Sequence, residues 1–292
     1  MKVWVAKILG FLGNRLPILG KILLQIRDKI VFAIIKPLYR KAQIQIQNYD
    51  EKICEKIIWI YWAQGIDTAP DLVKVCYNRL KAFNKEYKVV LIDNNNISEY
   101  ISIPEYIYQK VEKKKITLTH FSDIIRIHLL AEYGGIWMDS TVFIGESFSD
   151  FINNERKLIT IPQDNISYNI SKGKWSAWMI GTKKKCRYFQ VCATFFDLYW
   201  EKYNMLACYF LIDYLLEYTY RNDYEFRKDV DEVLKLDYSV YELMEIRNSK
   251  CSIEDYNKFL SNNIINKMSY KEKFDKDIIG TYSYYMFTQK EI

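Results

Sequence analysis

Histidine is nearly missing from this chain: its 292 residues hold two, His120 and His128. A Ser-His-Asp hydrolase would need one of them, yet no Gly-x-Ser-x-Gly elbow occurs. Cysteine occurs six times, at 54, 76, 186, 192, 208 and 251, but never as Cys-x-x-Cys and never interleaved with histidine. That argues against a zinc site or a disulfide framework, and for a reducing compartment. Phosphate-cradling glycine loops are missing too. Without Gly-x-Gly-x-x-Gly or a Walker Lys-Ser/Thr loop, NAD binding and P-loop phosphoryl transfer lose their usual sequence support. There is no tandem repeat, no low-complexity tract, and no charge-free apolar run approaching the ~18 residues of a spanning helix.

What is present is a core-forming composition. Half of the residues are hydrophobic and 25 are tyrosine, which excludes a disordered chain. The length suits one large α/β domain, or one domain with an addition. The addition is visible in the charge. Residues 1–41 carry six lysines and three arginines against the single acid Asp28, a net of +8, while the whole chain nets +6. Apolar residues stand between these cations, as in Ile22-Leu23-Leu24-x-Ile26. Gly10, Gly13, Gly20, Pro17 and Pro37 are expected to break the segment into short amphipathic pieces lying on an anionic membrane surface. The alternatives are a signal peptide, which lacks a clean apolar region and a cleavage site, and helices packed on the following domain. On the membrane reading, residues 1–50 form an arm, residues 51–292 the domain, and a chain starting near Asn48 should be more soluble.

Beyond the arm the pattern alternates. Strand 56–62, helix 70–84 and strand 87–92 read as the opening βαβ of a doubly wound sheet. Helices around 105–112 and 119–132 follow, with strands at 136–138, 142–144, 157–162 and 177–181 and a mainly helical region from Cys186 onward.

The most informative stretch is Ser122-Asp123-Ile124-Ile125-Arg126, leading into Tyr133-Gly134-Gly135-Ile136-Trp137-Met138-Asp139-Ser140-Thr141. Asp123 and Arg126, three apart, share one helix face. Gly134-Gly135 can end that helix with positive φ, and Asp139 stands at the end of a buried strand, where α/β sheets place ligands. This order resembles the donor-sugar signature of capsular polysaccharide synthesis glycosyltransferases. It also resembles glycosyltransferase family 32 and the Asp-x-Asp sugar-binding group, although Thr141 replaces the second aspartate. Lys56–Gly65, containing Tyr61-Trp62-x-Gln64, is similar to the family's first strand.

The resemblance implies a single Rossmann-like domain of glycosyltransferase type A, with a helical C-terminal part. It implies Asp139, Asp123 and Arg126 as catalytic residues, and Tyr61, Trp62, Gln64, Ser122, Gly135, Thr141 and Lys267 on a UDP-sugar donor. Trp62 is either the base-stacking face or a core aromatic; Trp59 belongs to the core. A divalent cation, Mn²⁺ or Mg²⁺, would be held by Asp139 and the donor pyrophosphate. Lys267 and Lys271 would close over the phosphates, or else are exposed lysines. On the acceptor side, Trp178 is a sugar-stacking wall or core, and Asp213 a site acid or a structural one.

Lys113–Lys115 and Lys183–Lys185 read as solvated turns, and no nucleic-acid fold signature accompanies them. The family implies retention of anomeric configuration. With no obvious covalent nucleophile, front-face attack assisted by the donor phosphate is expected. The acceptor would be a capsule, O-antigen or exopolysaccharide unit on a lipid carrier, at the inner face of the plasma membrane. A nucleotidyl- or phosphotransferase and a noncatalytic assembly factor are the rival readings.

Overall fold

The computed structural model describes residues 1–16, 19–46, 52–146, 149–152, 157–163 and 169–289. Two helices come first, α1 (Lys2–Gly13) and α2 (Gly20–Gln45), folded back on each other so that Gly10 lies against Arg27 and Gly13 against Leu24. The turn needs glycine: a Cβ on Gly20 would run into the Gly13 carbonyl. The expected short pieces are therefore a hairpin of two helices. Pro37 lies inside α2 and does not end it. An interior proline costs ~3 kcal/mol. Its neighbours Ile34, Ile35, Leu38, Tyr39 and Ala42 are all buried, and each large apolar side chain contributes about 1.5–3 kcal/mol, which outweighs that cost. Pro17 lies outside the described residues.

The sheet begins with β1 (Ile57–Tyr61), buried on both faces, then α3 (Asp71–Phe83) and the parallel strand β2 (Lys88–Ile92). Helices α4 (Ile97–Tyr100), α5 (Glu105–Glu112) and α6 (Leu118–Glu132) lead to β3 (Gly135–Met138), which pairs parallel with β1 on its other side. Then come β4 (Val142–Ile144), α7 (Ser149–Ile152), β5 (Leu158–Thr160) and β6 (Met179–Thr182). The five-stranded order is β2-β1-β3-β6-β5, with β6 antiparallel to both its neighbours. This is an α/β fold whose Rossmann-like half is extended by an antiparallel edge.

Helices α8 (Arg187–Lys202), α9 (Leu211–Asn222), α10 (Tyr224–Asp231), α11 (Glu242–Ile246) and α12 (Ile253–Asn262) follow. Strand β7 (Ile265–Lys267) then pairs antiparallel with β4, and α13 (Tyr282–Thr288) comes after it. The hairpin shares one hydrophobic core with α6, α8 and α9. Tyr39 meets Tyr218 edge-on at 5.1 Å, Arg187 donates to the Gln43 and Ile46 carbonyls, and Arg27, Asp28 and Tyr214 form a hydrogen-bonded clasp.

Candidate active site

Helix α6 aims the first polar groups. Thr117 caps it by accepting from the His120 N–H, and the chain leaves it through Gly134 at φ +68°. Along its buried face Trp200 Nε1 donates to His120 Nε2 at 3.1 Å, which leaves the neutral ring's proton on Nδ1, 3.4 Å from Asp123. Asp123 in turn contacts Arg126 Nη1 at 3.2 Å. The Arg126 guanidinium lies 4.8 Å over the Trp137 ring, and its Nη2 donates to Asp139 Oδ1 at 3.1 Å.

Asp139 follows β3, and its backbone N–H is held by the Trp178 carbonyl. Its Oδ1 also accepts from Trp137 Nε1 at 2.9 Å, and its Oδ2 accepts from Lys267 Nζ at 3.2 Å. Lys267 donates as well to Thr141 Oγ1 at 2.6 Å. The β4–β7 register, which pairs Val142 with Lys267, brings this ammonium across 128 positions of sequence.

One carboxylate thus receives two cations and an indole. Burial works against its ionisation, but Lys267, Arg126 and the Trp137 hydrogen bond prevail and hold it below the usual carboxylate range. Asp213 moves the other way, pushed up to about 6 by burial despite the 3.0 Å hydrogen bond from Trp175 Nε1. The two acids differ because only one of them has cations in contact.

Two confluent clefts meet at Asp139. The larger, about 690 Å³, has Tyr61, Trp62 and Gln64 on one side and Thr141, Lys267 and Lys271 on the other. The smaller, about 300 Å³, has Asp123, Arg126, Trp178 and Asp213 in its walls. Thr119, Asp139, Tyr209 and Tyr241 line both. The larger lies within the ~300–1,000 Å³ common for small-molecule sites.

The expected site residues gather here with one exception. Trp62 is half-buried and meets Tyr270 edge-on at 5.5 Å, leaving its position on the cleft wall. Tyr61 donates from its hydroxyl to Asn94, and Ser122 to the Thr119 carbonyl. Trp178 stands 5.7 Å from Lys267 Nζ. Gly135 is not brought to the cleft. It lies at the other end of β3, at φ +78°, where a Cβ would come within 2.7 Å of the Ile57 carbonyl; close strand packing, not donor contact, requires glycine there. Tyr241 and Gln163 line the clefts without any motif in the sequence to mark them, whereas Trp175 and Tyr209 stand three and four residues before Trp178 and Asp213.

These residues do not by themselves make a divalent-cation site. Asp139 is the one carboxylate beside Thr141, and the Lys267 ammonium already bridges the two oxygens that a metal would take. Among the described residues, no three metal-ligating side chains stand together.

Three comparisons bear on this arrangement. An O-glycosyltransferase, braB, of Annulohypoxylon truncatum is 26% identical over 110 residues, covering 35% of this chain and 26% of that protein, so the match spans about a quarter of the relative's length. The solved structure of the PaToxG glycosyltransferase aligns with 70% of this chain and 84% of its own at 13% identity, with a TM-score of 0.38. The third comparison reaches almost end to end. The family described as "Capsular polysaccharide synthesis protein" matches residues 19–286, taking in the second helix of the hairpin, the whole sheet and every residue around Asp139, and the chain belongs to that family.

Proposed function

We propose that this protein is a glycosyltransferase that moves a hexose or N-acetylhexosamine from a UDP-sugar onto a lipid-linked polysaccharide acceptor. The observation that carries the reading is the fixed relay Asp123–Arg126–Asp139–Lys267 at the junction of two clefts. The larger cleft offers an aromatic face and an amide for a pyrimidine base at one end, and two lysines for a diphosphate at the other. The smaller takes the acceptor, with the Trp178 face and the Asp213 carboxylate as its sugar contacts.

Asp139 is a poor covalent nucleophile, since both oxygens are engaged and its charge is neutralised from two sides. Retention then follows from a front-face exchange. The bond from the anomeric carbon to the donor phosphate breaks as the bond to the acceptor oxygen forms, and the acceptor's proton passes to the departing phosphate. Asp139 faces the positive charge that develops on the sugar, while Lys267 and Lys271 stabilise the leaving diphosphate. In this reading Lys267 supplies charge that paired aspartates and a metal supply in Asp-x-Asp enzymes.

The test is slow hydrolysis of a nucleotide-sugar panel by purified protein, with and without EDTA. A UDP-sugar should turn over, Asp139→Asn should lose at least ~100-fold, about 2.7 kcal/mol of transition-state stabilisation, and Lys267→Ala should lose a comparable amount. EDTA should leave much of the rate. Complete loss on chelation would mean that the donor brings a metal which Asp139 shares. Turnover of nucleoside triphosphates instead of any sugar donor would replace this reading with a nucleotidyltransferase.

A further inference from the structure

A third cavity of about 580 Å³ opens between the α1–α2 hairpin and the segment that enters α9. Its walls are largely apolar, with Ala6, Gly10, Leu24, Ile170 and Phe210 among them. It shares Asn169, Tyr209, Phe210 and Asp213 with the smaller cleft beside Asp139, so the two lie side by side across one common wall. Apolar side chains that face water stand on both of these elements: Trp4 (59% exposed) and Phe11 on α1, and Tyr209 (62%) and Phe210 (55%), which line the cavity, ahead of α9. Lys7, also exposed, lines the groove, whereas Arg27 deeper in is already neutralised by Asp28.

An apolar trough with an exposed lysine at its wall matches an amphiphile whose hydrocarbon ends in phosphate. A protein partner would be served by exposed side chains alone and has no use for a concave groove set against the wall of the cleft that holds the reacting carboxylate. We propose that this groove seats the phosphate-proximal hydrocarbon of the acceptor lipid, so that the acceptor enters from the hairpin side, past Tyr209, Phe210 and Asp213. The inference rests on the glycosyltransferase reading for the acceptor's chemistry, and not on any donor or metal detail.

A benzophenone-bearing isoprenoid diphosphate, photolysed with the full chain, tests it. Label is expected on peptides covering residues 6–14 and 206–214. Farnesyl diphosphate should suppress it at least about ten-fold and inorganic pyrophosphate should not. Gly10→Leu should fill the groove: a Cβ there stands 3.4 Å from Arg27 Cδ, an ordinary contact, and leucine is a better helix former than glycine. Labelling should drop about ten-fold or more in that variant. If Gly10→Leu melts early, Phe210→Ser decides, because that side chain is exposed and its loss opens no core cavity. Label elsewhere, equal competition by pyrophosphate, undiminished labelling in both variants, or a hairpin crosslinked to another protein in place of lipid would each overturn the groove. Labelling needs no donor turnover, so its failure leaves the Asp139 reading standing, and a protein that labels without hydrolysing donor overturns only the latter.

Discussion

Arg126 separates the loss of a charge from the loss of a shape. It stands between Asp123 and Asp139, with its side chain only 5% exposed, so Arg126→Ala takes the cation from the mostly buried Asp123, while Asp139, 31% exposed, keeps Lys267. Breaking such a pair costs about 3–5 kcal/mol. The alanine variant should therefore lose stability and turnover together. Arg126→Lys keeps the charge but not the planar fork that spans both acids. Its thermal midpoint should fall much less while donor hydrolysis still drops more than about ten-fold; wild-type turnover in the lysine variant would reduce Arg126 to a structural cation. Asp213 gives a pH signature. Its carboxyl is raised from 3.8 to about 6 by burial, so the folded state holds its proton more tightly than the unfolded state. That stability is complete below about pH 3.8 and is lost as pH rises through 6, by up to about 3 kcal/mol. Asp213→Asn should abolish this slope. In denaturant titrations, the variant should gain on wild type from pH 4 to pH 7, and a pH-independent difference would mean that Asp213 is solvated.

At the scale of elements, α2 and β7 are where sequence and structure part. Period and punctuation made β1, α3, β2, α5, α6 and β3 legible, because each buries its own apolar face and is bounded by glycine or polar turns. The Asp123–Arg126 pair was legible for the same reason, being fixed by spacing within one helix. Lys267 was suggested only by resemblance, since its approach to Asp139 depends on a β4–β7 pairing across more than a hundred residues, and no local pattern encodes a register. Of the residues expected to break the arm, Gly13 and Gly20 do bound its two helices, whereas α2 absorbs Pro37 on an exposed face and so runs on into the core. This changes the truncation experiment. A chain starting near Asn48 would strip Val31, Ile35, Leu38 and Tyr39 from α8 and α9 and should aggregate or melt far below wild type, contrary to the solubility expected of a detachable arm. A chain starting at Gly20 keeps that face and should remain folded. Circular dichroism melts of both decide it, and a stable, soluble chain from Asn48 would show that the hairpin contributes little to the core.

For the molecule as a whole, the hairpin divides into two materials. Residues 31–42 supply the buried face, while the large exposed apolar side chains of α1 and early α2 lie from Met1 to Ile26, among Lys2, Lys7, Arg15 and Lys21. Among the described residues, no helix is long and apolar enough to cross a membrane. Exposed Trp4, Phe11, Leu19 and Ile22 beside a +8 segment fit a surface that lies in the headgroup layer, with its cations on anionic lipid and its aromatics a few ångströms deeper. The two attractions separate experimentally, because salt screens only the first: the Debye length shrinks from ~10 Å at 0.1 M to ~3 Å at 1 M. The protein should sediment with anionic vesicles at low salt, shift its tryptophan emission to the blue as Trp4 enters the interface, and release at 1 M salt or alkaline pH. A chain starting at Gly20, lacking Lys2, Lys7, Arg15 and most of the apolar tip, should lose the sedimentation while staying folded. Equal binding to neutral vesicles would assign the association to apolar insertion alone, and resistance to alkaline extraction would mean that the hairpin is embedded more deeply than a surface-lying element can be.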